Sequence, residues 1–178
     1  MSELDDLMDL RVRTIDGWPV PGVQFRDINP LLADARGLSL VIGALQHDVT
    51  AAQWGRIDLV AGIEARGFIL GAPLAAALGV GFVPVRKQGK LPGSLRTVTY
   101  DLEYGTASLE LQVDAVLPGM RVLLVDDVLA TGGTAAAAVS LLRSVGAQVA
   151  GFVTLIELPV LGGRAALPDV AVRALRAY

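Results

Sequence analysis

The chain has 178 residues, of which 53% are hydrophobic and 19% charged, and its formal net charge is −3. This composition is typical of a globular domain with a full core, and it excludes an intrinsically disordered chain. The small negative charge gives no reason to expect nucleic acid as a partner, and the absence of cysteine excludes disulfides and thiolate metal sites.

The same features predict a cytoplasmic protein that does not bind membranes. The acidic N-terminus lacks the basic and apolar regions of a signal peptide. Charge, glycine or proline interrupts each apolar stretch before it reaches the length of a membrane span. A chain without cysteine also fits a reducing compartment.

The first part of the chain predicts a capped helix, a loop and then alternating helices and strands. Ser2 is suited to cap a helix that runs to about Arg13. Residues 16–30 carry three prolines and two glycines, which indicate a loop with structure of its own. The pattern then predicts a helix over residues 35–53, a strand over 58–63, a helix over 67–78 and a strand over 81–85.

The second part predicts a hairpin followed by more α/β alternation. Residues 86–95 are basic and polar and predict a mobile loop, and a hairpin over 97–104 and 107–113 follows it. The remaining predicted elements are strands over 121–125, 148–156 and 170–175 and a helix over 131–145. Such alternation indicates a mostly parallel sheet, whose ligands bind beyond the carboxyl ends of the strands.

A small-residue turn follows one predicted strand, in the stretch VLLVDDVLATGGT over residues 122–134. The turn runs from Ala130 to Thr134 and precedes a predicted helix, where free backbone N–H groups and the helix dipole favour an anion. Thr131 adds a hydroxyl donor, and Gly132 and Gly133 allow the backbone to come close to a phosphate. No lysine follows as in a Walker A loop, so we expect a monophosphate.

Two adjacent acids, Asp126 and Asp127, precede this turn. Carboxylates accept strong hydrogen bonds from hydroxyl groups, and two neighbours can take the vicinal 2′- and 3′-hydroxyls of a ribose. They would also stabilise a sugar that becomes cationic. A ribose 5-phosphate therefore satisfies the acids and the turn together.

The stretch resembles the 5-phosphoribosyl 1-pyrophosphate (PRPP) signature of type I phosphoribosyltransferases. Further stretches look like the adenine-specific branch of that family: GVQFRD at 22–27, AGIEARGF at 61–68, FVPVRKQGKLP at 82–92 and LEYG at 102–105. The resemblance runs from about Gly17 to Gly163.

The resemblance implies an α/β fold of the type I phosphoribosyltransferase kind in one domain, residues 1–178. It implies a central, mostly parallel sheet flanked by helices, and a small N-terminal hood that covers the base. The N-terminal helix and hood would occupy about residues 1–33 and the core about 34–178, with a flexible loop at about 86–106.

The resemblance also implies the reaction: adenine and PRPP give AMP and pyrophosphate in purine salvage. Mg²⁺ is the implied cofactor, held mainly by substrate and water because this ion keeps several waters and uses substrate oxygens. Asp126 and Asp127 would serve catalysis at the ribose, and Ala130 to Thr134 would hold the phosphate of PRPP or AMP. Basic side chains would hold pyrophosphate: Arg66, Arg86, Lys87 and Lys90. In the family some of these reach a neighbouring subunit's site, which implies a homodimer.

Base recognition is the other implied part of the site. Phe25 and Leu129 would sandwich the adenine, and backbone groups beside Phe25, at Gln24 and Arg26, would read its 6-amino edge. Gln24 stands where an apolar residue is expected in the family. The resemblance assigns proton exchange with the purine ring to Glu103 and a gating role to Tyr104, next to it in the chain.

Two alternative functions stay open at this point. One is a sister enzyme that uses a 6-oxopurine such as hypoxanthine or xanthine. The other is a PRPP-sensing purine regulator, which would need a DNA-binding module. Neither a helix-turn-helix extension nor a basic face is visible in the sequence, so the regulator is the weaker alternative.

Overall fold

The structure is a computed structural model that describes residues 2–18, 20–101 and 105–178. The chain divides into two compact units, Met1–Ala44 and Leu45–Tyr178. Within the described residues, no helix combines the length and apolar character that crossing a bilayer requires.

The first unit begins with a capped helix and a short antiparallel hairpin. Helix α1 spans Glu3–Arg11, and the Asp5 amide donates to Ser2 Oγ at 3.2 Å while the Ser2 amide donates to Asp5 Oδ2 at 2.9 Å. This reciprocal capping box confirms Ser2 as the cap. Strand β1 (Arg13–Asp16) pairs with β2 (Gln24–Asp27).

The predicted loop over residues 16–30 has structure of its own, as expected, and in its second half that structure is a regular strand and a short helix. Ile15 lies opposite Phe25 in the hairpin, and this cross-strand pairing extends the chain where proline and glycine favoured a loop. Helix α2 (Asn29–Leu32) follows, with a proline in its first turn, and helix α3 spans Ala35–Ala51.

The described part of the second unit forms a seven-stranded sheet in the order β5-β6-β4-β3-β7-β8-β9. The central and last strands pair in parallel, whereas β6 pairs antiparallel with both β4 and β5. The strands are β3 Leu59–Ile63, β4 Gly81–Lys87, β5 Leu95–Asp101, β6 Thr106–Gln112, β7 Arg121–Leu129, β8 Gln148–Glu157 and β9 Val172–Ala177. The helices are α4 Arg66–Leu78 and α5 Gly133–Ser144, with 3₁₀ turns at Val113–Ala115, Pro159–Leu161 and Gly163–Ala166.

Uninterrupted apolar runs place β3 and β7 at the centre of this sheet. Every residue of β3 is buried, as are Val122 to Val125 of β7, which is typical of parallel strands covered on both faces. Small side chains let the alanine-rich helix α5 join the same hydrophobic core. The predicted fold class, an α/β domain with a mostly parallel sheet, is confirmed.

Candidate active site

Two neighbouring parallel strands bring the predicted site segments to one edge of the sheet. Strands β3 and β7 are paired in register, with Gly62 opposite Val125. Because the carboxyl ends of parallel strands lie at the same edge, residues 64–66 after β3 and residues 126–134 around the end of β7 become neighbours.

The two acids lie beside the first turn of α4. Strand β7 continues through them to Leu129, four residues beyond the predicted end at Val125. Arg66 Nε lies 2.8 Å from Asp127 Oδ2. A Cβ added to Gly67 would lie 3.2 Å from Asp126 Oδ1, so both carboxyl groups face the start of this helix. The glycine at residue 67 is what permits this close approach.

Both carboxyl groups have raised pKa values. Burial, and then the negative charge of Asp127, raise the pKa of Asp126 well above its ordinary value. Burial also raises the pKa of Asp127, and the Arg66 guanidinium opposes that rise. Asp127 Oδ2 is buried and accepts no hydrogen bond within the described residues, although Arg66 is close to it. Asp127 is 4% exposed and Asp126 is half-buried, so the pair places carboxylate oxygens of reduced hydration beside Arg66.

Free amide groups occur in the turn after β7. Helix α5 begins at Gly133, and the first helical hydrogen bond at its cap runs from the Ala136 amide to Gly132 O at 2.8 Å. Within the described part of the chain, the amides from Thr131 to Thr134 donate to no backbone carbonyl. The Thr134 hydroxyl lies 3.3 Å from the Tyr100 hydroxyl of β5. Such N–H groups at a helix start are suited to bind an anion, and the binding of phosphate by this turn stays a prediction.

The two glycines of this turn serve different needs. Gly132 has φ +84°, and a Cβ there would lie 2.4 Å from the Gly163 carbonyl oxygen. An added Cβ at Gly133 would meet nothing closer than the Asp101 carbonyl oxygen at 3.9 Å. Gly132 is therefore required by the fold itself, whereas the space beside Gly133 is open to a ligand.

Glu64, which the sequence did not predict as a site residue, contacts the predicted pyrophosphate-binding residues at the end of β4. Glu64 follows β3 directly, its side chain is 9% exposed, and it forms ion pairs with Lys90 and, at 3.5 Å, with Arg86 Nε. The Lys87 amide donates to Glu64 Oε2 at 2.9 Å. Burial alone would raise the pKa of Glu64, but the hydrogen bonds from Lys90 and the Lys87 amide hold this pKa below its usual range.

A second buried acid holds the same turn. The Gly89 amide donates to Glu110 Oε2 at 2.9 Å, and Glu110 is 5% exposed. The Lys87 side chain, by contrast, is exposed. A charged residue directly after a buried strand was the available signal for Glu64, whereas Glu110 lies inside β6 and carries no such signal.

The predicted base-binding residues lie in different surroundings. Phe25 is half-buried in the first unit, and its ring centroid lies 4.4 Å from that of Trp18 in an edge-to-face contact. Arg26 Nη1 donates to the Thr14 hydroxyl. Leu129, in the second unit, is buried and packs against Gly163. Their contact with a base stays a prediction.

Glu103 and Tyr104 lie outside the described residues. They belong to the connection between β5 and β6, whose antiparallel pairing is described from Asp101 and Thr106 onward. The predicted hairpin is confirmed on both sides of them, and their predicted roles stay predictions.

Comparisons with known proteins agree with this geometry. A family model for the phosphoribosyl transferase domain matches residues 32–170. An adenine phosphoribosyltransferase of Thermobifida fusca is 53% identical over 174 residues, which covers 98% of this chain and 97% of the relative. The crystal structure of the enzyme of that name from Thermoanaerobacter pseudethanolicus has a TM-score of 0.92 and 46% identity, covering 98% of this chain and 99% of that one. The structure of the Saccharomyces cerevisiae adenine phosphoribosyltransferase, solved with adenine bound, has a TM-score of 0.93 and 38% identity. The match covers 99% of this chain and 100% of that one.

Proposed function

This chain belongs to the phosphoribosyltransferase family, in its adenine-specific branch, and we propose that it makes AMP and pyrophosphate from adenine and PRPP. It is thus a pentosyltransferase of purine salvage. The observation that carries the proposal is the connection from β7 to α5, where the half-buried Asp126 and the buried Asp127 precede a turn whose amides donate to no backbone carbonyl among the described residues. Few ligands besides a phosphorylated sugar need both an anion site and diol acceptors a few residues apart.

The acids and the turn divide the sugar phosphate between them. Ala130 to Thr134 hold the 5′-phosphate through their amides and hydroxyls, and the space beside Gly133 admits its oxygens. Asp126 and Asp127 accept hydrogen bonds from the ribose 2′- and 3′-hydroxyls. This arrangement leaves the anomeric carbon on the side of β3, where Arg66 and Glu64 follow the strand.

The reaction breaks the bond between C1′ and the pyrophosphate oxygen and forms the bond between C1′ and a purine nitrogen. Positive charge develops at C1′ as the leaving group departs with the electron pair. The buried negative charge of the acid pair then stabilises the transition state more than the ground state. The proton lost from the purine passes to Glu103, and Tyr104 gates or positions the base.

Pyrophosphate binds to the cations after β3 and β4, namely Arg66, Arg86, Lys87 and Lys90. Arg66 pairs with Asp127, while Arg86 and Lys90 pair with Glu64, so most of these cations are held in place before any ligand is present. Such preorganisation lowers the cost of gathering positive charge around the leaving group. Phe25 and Leu129 enclose the adenine, and the backbone at Arg26 reads its amino edge.

Mg²⁺ is the cofactor we propose, held mainly by oxygens of pyrophosphate, ribose and water. The chemistry of the site fits this ion, because Asp126 and Asp127 bring negative charge to the proposed ribose site and Mg²⁺ prefers the hard oxygens of substrate and water. When bound, the ion would supply positive charge to the leaving group. We further propose a homodimer in the cytoplasm and a single catalytic domain over residues 1–178, with hood and core as the family implies.

An assay of AMP formation tests the proposal and separates it from its main alternative. Purified protein is given PRPP and one radiolabelled base, either adenine, hypoxanthine or guanine, with Mg²⁺ or with a chelator. We expect AMP from adenine, little product from the other bases, and loss of turnover in chelator that added Mg²⁺ restores. A preference for hypoxanthine would identify a 6-oxopurine enzyme, and no product from any base would refute the proposal.

A further inference from the structure

A two-pronged ion pair joins Arg164 to Glu157 behind the phosphate turn. Arg164 Nε and Nη2 each donate to one carboxylate oxygen of Glu157 at 2.7 Å, and Nη1 donates to the Val172 carbonyl at 3.1 Å. Glu157 is 8% exposed. Parallel N–H···O bonds of this kind give both strength and a fixed orientation, which most surface ion pairs lack.

The carboxylate of this pair belongs to the strand beside the site. Glu157 ends β8 and lies opposite Leu129, the last residue of β7. The next residue along, Leu158, donates its amide to the Leu129 carbonyl at 2.9 Å. The end of β8 is thus fixed to the end of β7, immediately before the turn that starts at Ala130.

The arginine of the pair belongs to the 3₁₀ turn Gly163–Ala166, which packs against the phosphate turn backbone to backbone. A Cβ on Gly163 would lie 2.3 Å from the Ala130 carbonyl oxygen, and one on Gly132 would lie 2.4 Å from the Gly163 carbonyl oxygen. Because no side chain intervenes to absorb a shift, a displacement of the 3₁₀ turn displaces the amides that bind phosphate.

We propose that Arg164 and Glu157 are positioning residues for the 5′-phosphate: they fix the 3₁₀ turn against which the phosphate turn is held. The inference rests on the proposed function of Ala130 to Thr134. Arg164 lies outside the signature motif. It would control phosphate affinity without contacting the substrate. The lowered pKa of Glu157, caused first by its hydrogen bonds from Arg164, agrees with a carboxylate that stays ionised.

The test compares Arg164→Met with Arg164→Lys and with a matched control, Arg143→Met. Arg143 pairs with the exposed Asp169 at 2.8 Å, near the far end of α5, so its loss should be silent. For Arg164→Met we expect the KM for PRPP and the inhibition constant of AMP to rise by about 10- to 100-fold, as for other misplaced binding groups. Lysine keeps the positive charge but cannot form the two parallel hydrogen bonds to Glu157, so Arg164→Lys should give an intermediate effect.

Ligands without a 5′-phosphate separate positioning from general damage. Inhibition by pyrophosphate and the KM for adenine at saturating PRPP should stay within about twofold of wild type in Arg164→Met. Equal weakening of AMP and pyrophosphate, or AMP inhibition like that of Arg143→Met, would overturn the inference. If wild-type protein makes AMP while Arg164→Met matches it, the positioning role fails and the proposed function stands; a wild type that makes no AMP refutes the latter.

The double variant Glu157→Gln/Arg164→Met removes a remaining ambiguity. Arg164→Met alone leaves a buried carboxylate unpaired, which is itself costly. If that unpaired charge caused the whole effect, the double variant would recover wild-type AMP inhibition. This recovery would contradict a positioning role for the Arg164–Glu157 pair. We expect the double variant to stay impaired because neither side chain can then hold the 3₁₀ turn.

Discussion

Alanine substitution of the two glycines in the phosphate turn should separate a glycine that the fold needs from one that the ligand needs. Gly132 has φ +84°, and its added Cβ would lie 2.4 Å from a backbone oxygen, that of Gly163. Gly133 begins α5, and its added Cβ would have no neighbour closer than 3.9 Å. The two residues are adjacent, so each is the control for the other.

The structure sets the expected size of each effect on stability. An alanine in the left-handed region costs about 1–2 kcal/mol, and crowding in a packed site costs about 1–3 kcal/mol more. Gly132→Ala should therefore lower the free energy of unfolding by about 2–5 kcal/mol, which lowers Tm by roughly 4–20 °C in a chain of this size. Gly133→Ala should keep or raise stability by up to about 1 kcal/mol, since alanine favours the helix over the unfolded chain.

Gly133→Ala should fold as stably as wild type but bind PRPP more weakly. The methyl group of Gly133→Ala would take space that the 5′-phosphate oxygens need, so we expect a rise of at least about tenfold in the KM for PRPP. Urea unfolding gives the stability of each variant, and initial rates of AMP formation at 25 °C give the KM. A Gly133→Ala enzyme with wild-type KM for PRPP would refute the assignment of the phosphate to this turn.

Three further substitutions test the acids and the base site. Asp127→Asn should lower kcat by about 100- to 1,000-fold, as loss of a charge-stabilising group does, with an unchanged circular dichroism spectrum; wild-type kcat would disprove its role. Asp126→Asn should stabilise the protein at neutral pH, because the raised pKa of Asp126 makes wild-type stability fall as pH rises above the ordinary carboxyl value of about 4. Urea unfolding at several pH values checks this, and parallel curves for the two proteins would contradict it. Phe25→Ala should raise the KM for adenine far more than that for PRPP in initial-rate assays, whereas equal rises would make Phe25 a structural residue.

Local signals in the sequence were sufficient for most of the sheet. The apolar run over residues 58–63 predicted β3, and Gly79 predicted the end of α4, where it adopts φ +71°. The signals failed where pairing with a neighbour decides the outcome. Strand β7 continues past its two acids to Leu129 because β8 pairs with it there. The local sequence predicts a strand end at the acids and gives no information about this pairing.

The sequence predicted the candidate ligand-binding residues, whose roles stay predictions, but it did not predict the residues that support them. Asp126, Asp127 and the turn after them occur in one continuous stretch, so spacing alone reveals them. The contact of Gly163 with Gly132, and the pair of Arg164 with Glu157, depend on how separate segments fold back on one another. Nothing in local composition distinguishes these residues from ordinary turn and surface positions.

The juxtaposition of acids and an anion site has a physical explanation in this geometry. We propose that the phosphate binds at the amides that begin α5, whereas the acids lie earlier in the chain, in strand β7 and beside Arg66. Burial that raises the pKa of Asp126 also removes the water that would screen its attraction to a cationic sugar. Desolvation therefore disfavours the ionised carboxylates in the free enzyme. The same desolvation strengthens their attraction to the positive charge that develops at C1′. Arg66 partly neutralises Asp127 through their ion pair, and in the proposed mechanism it also stabilises the departing pyrophosphate.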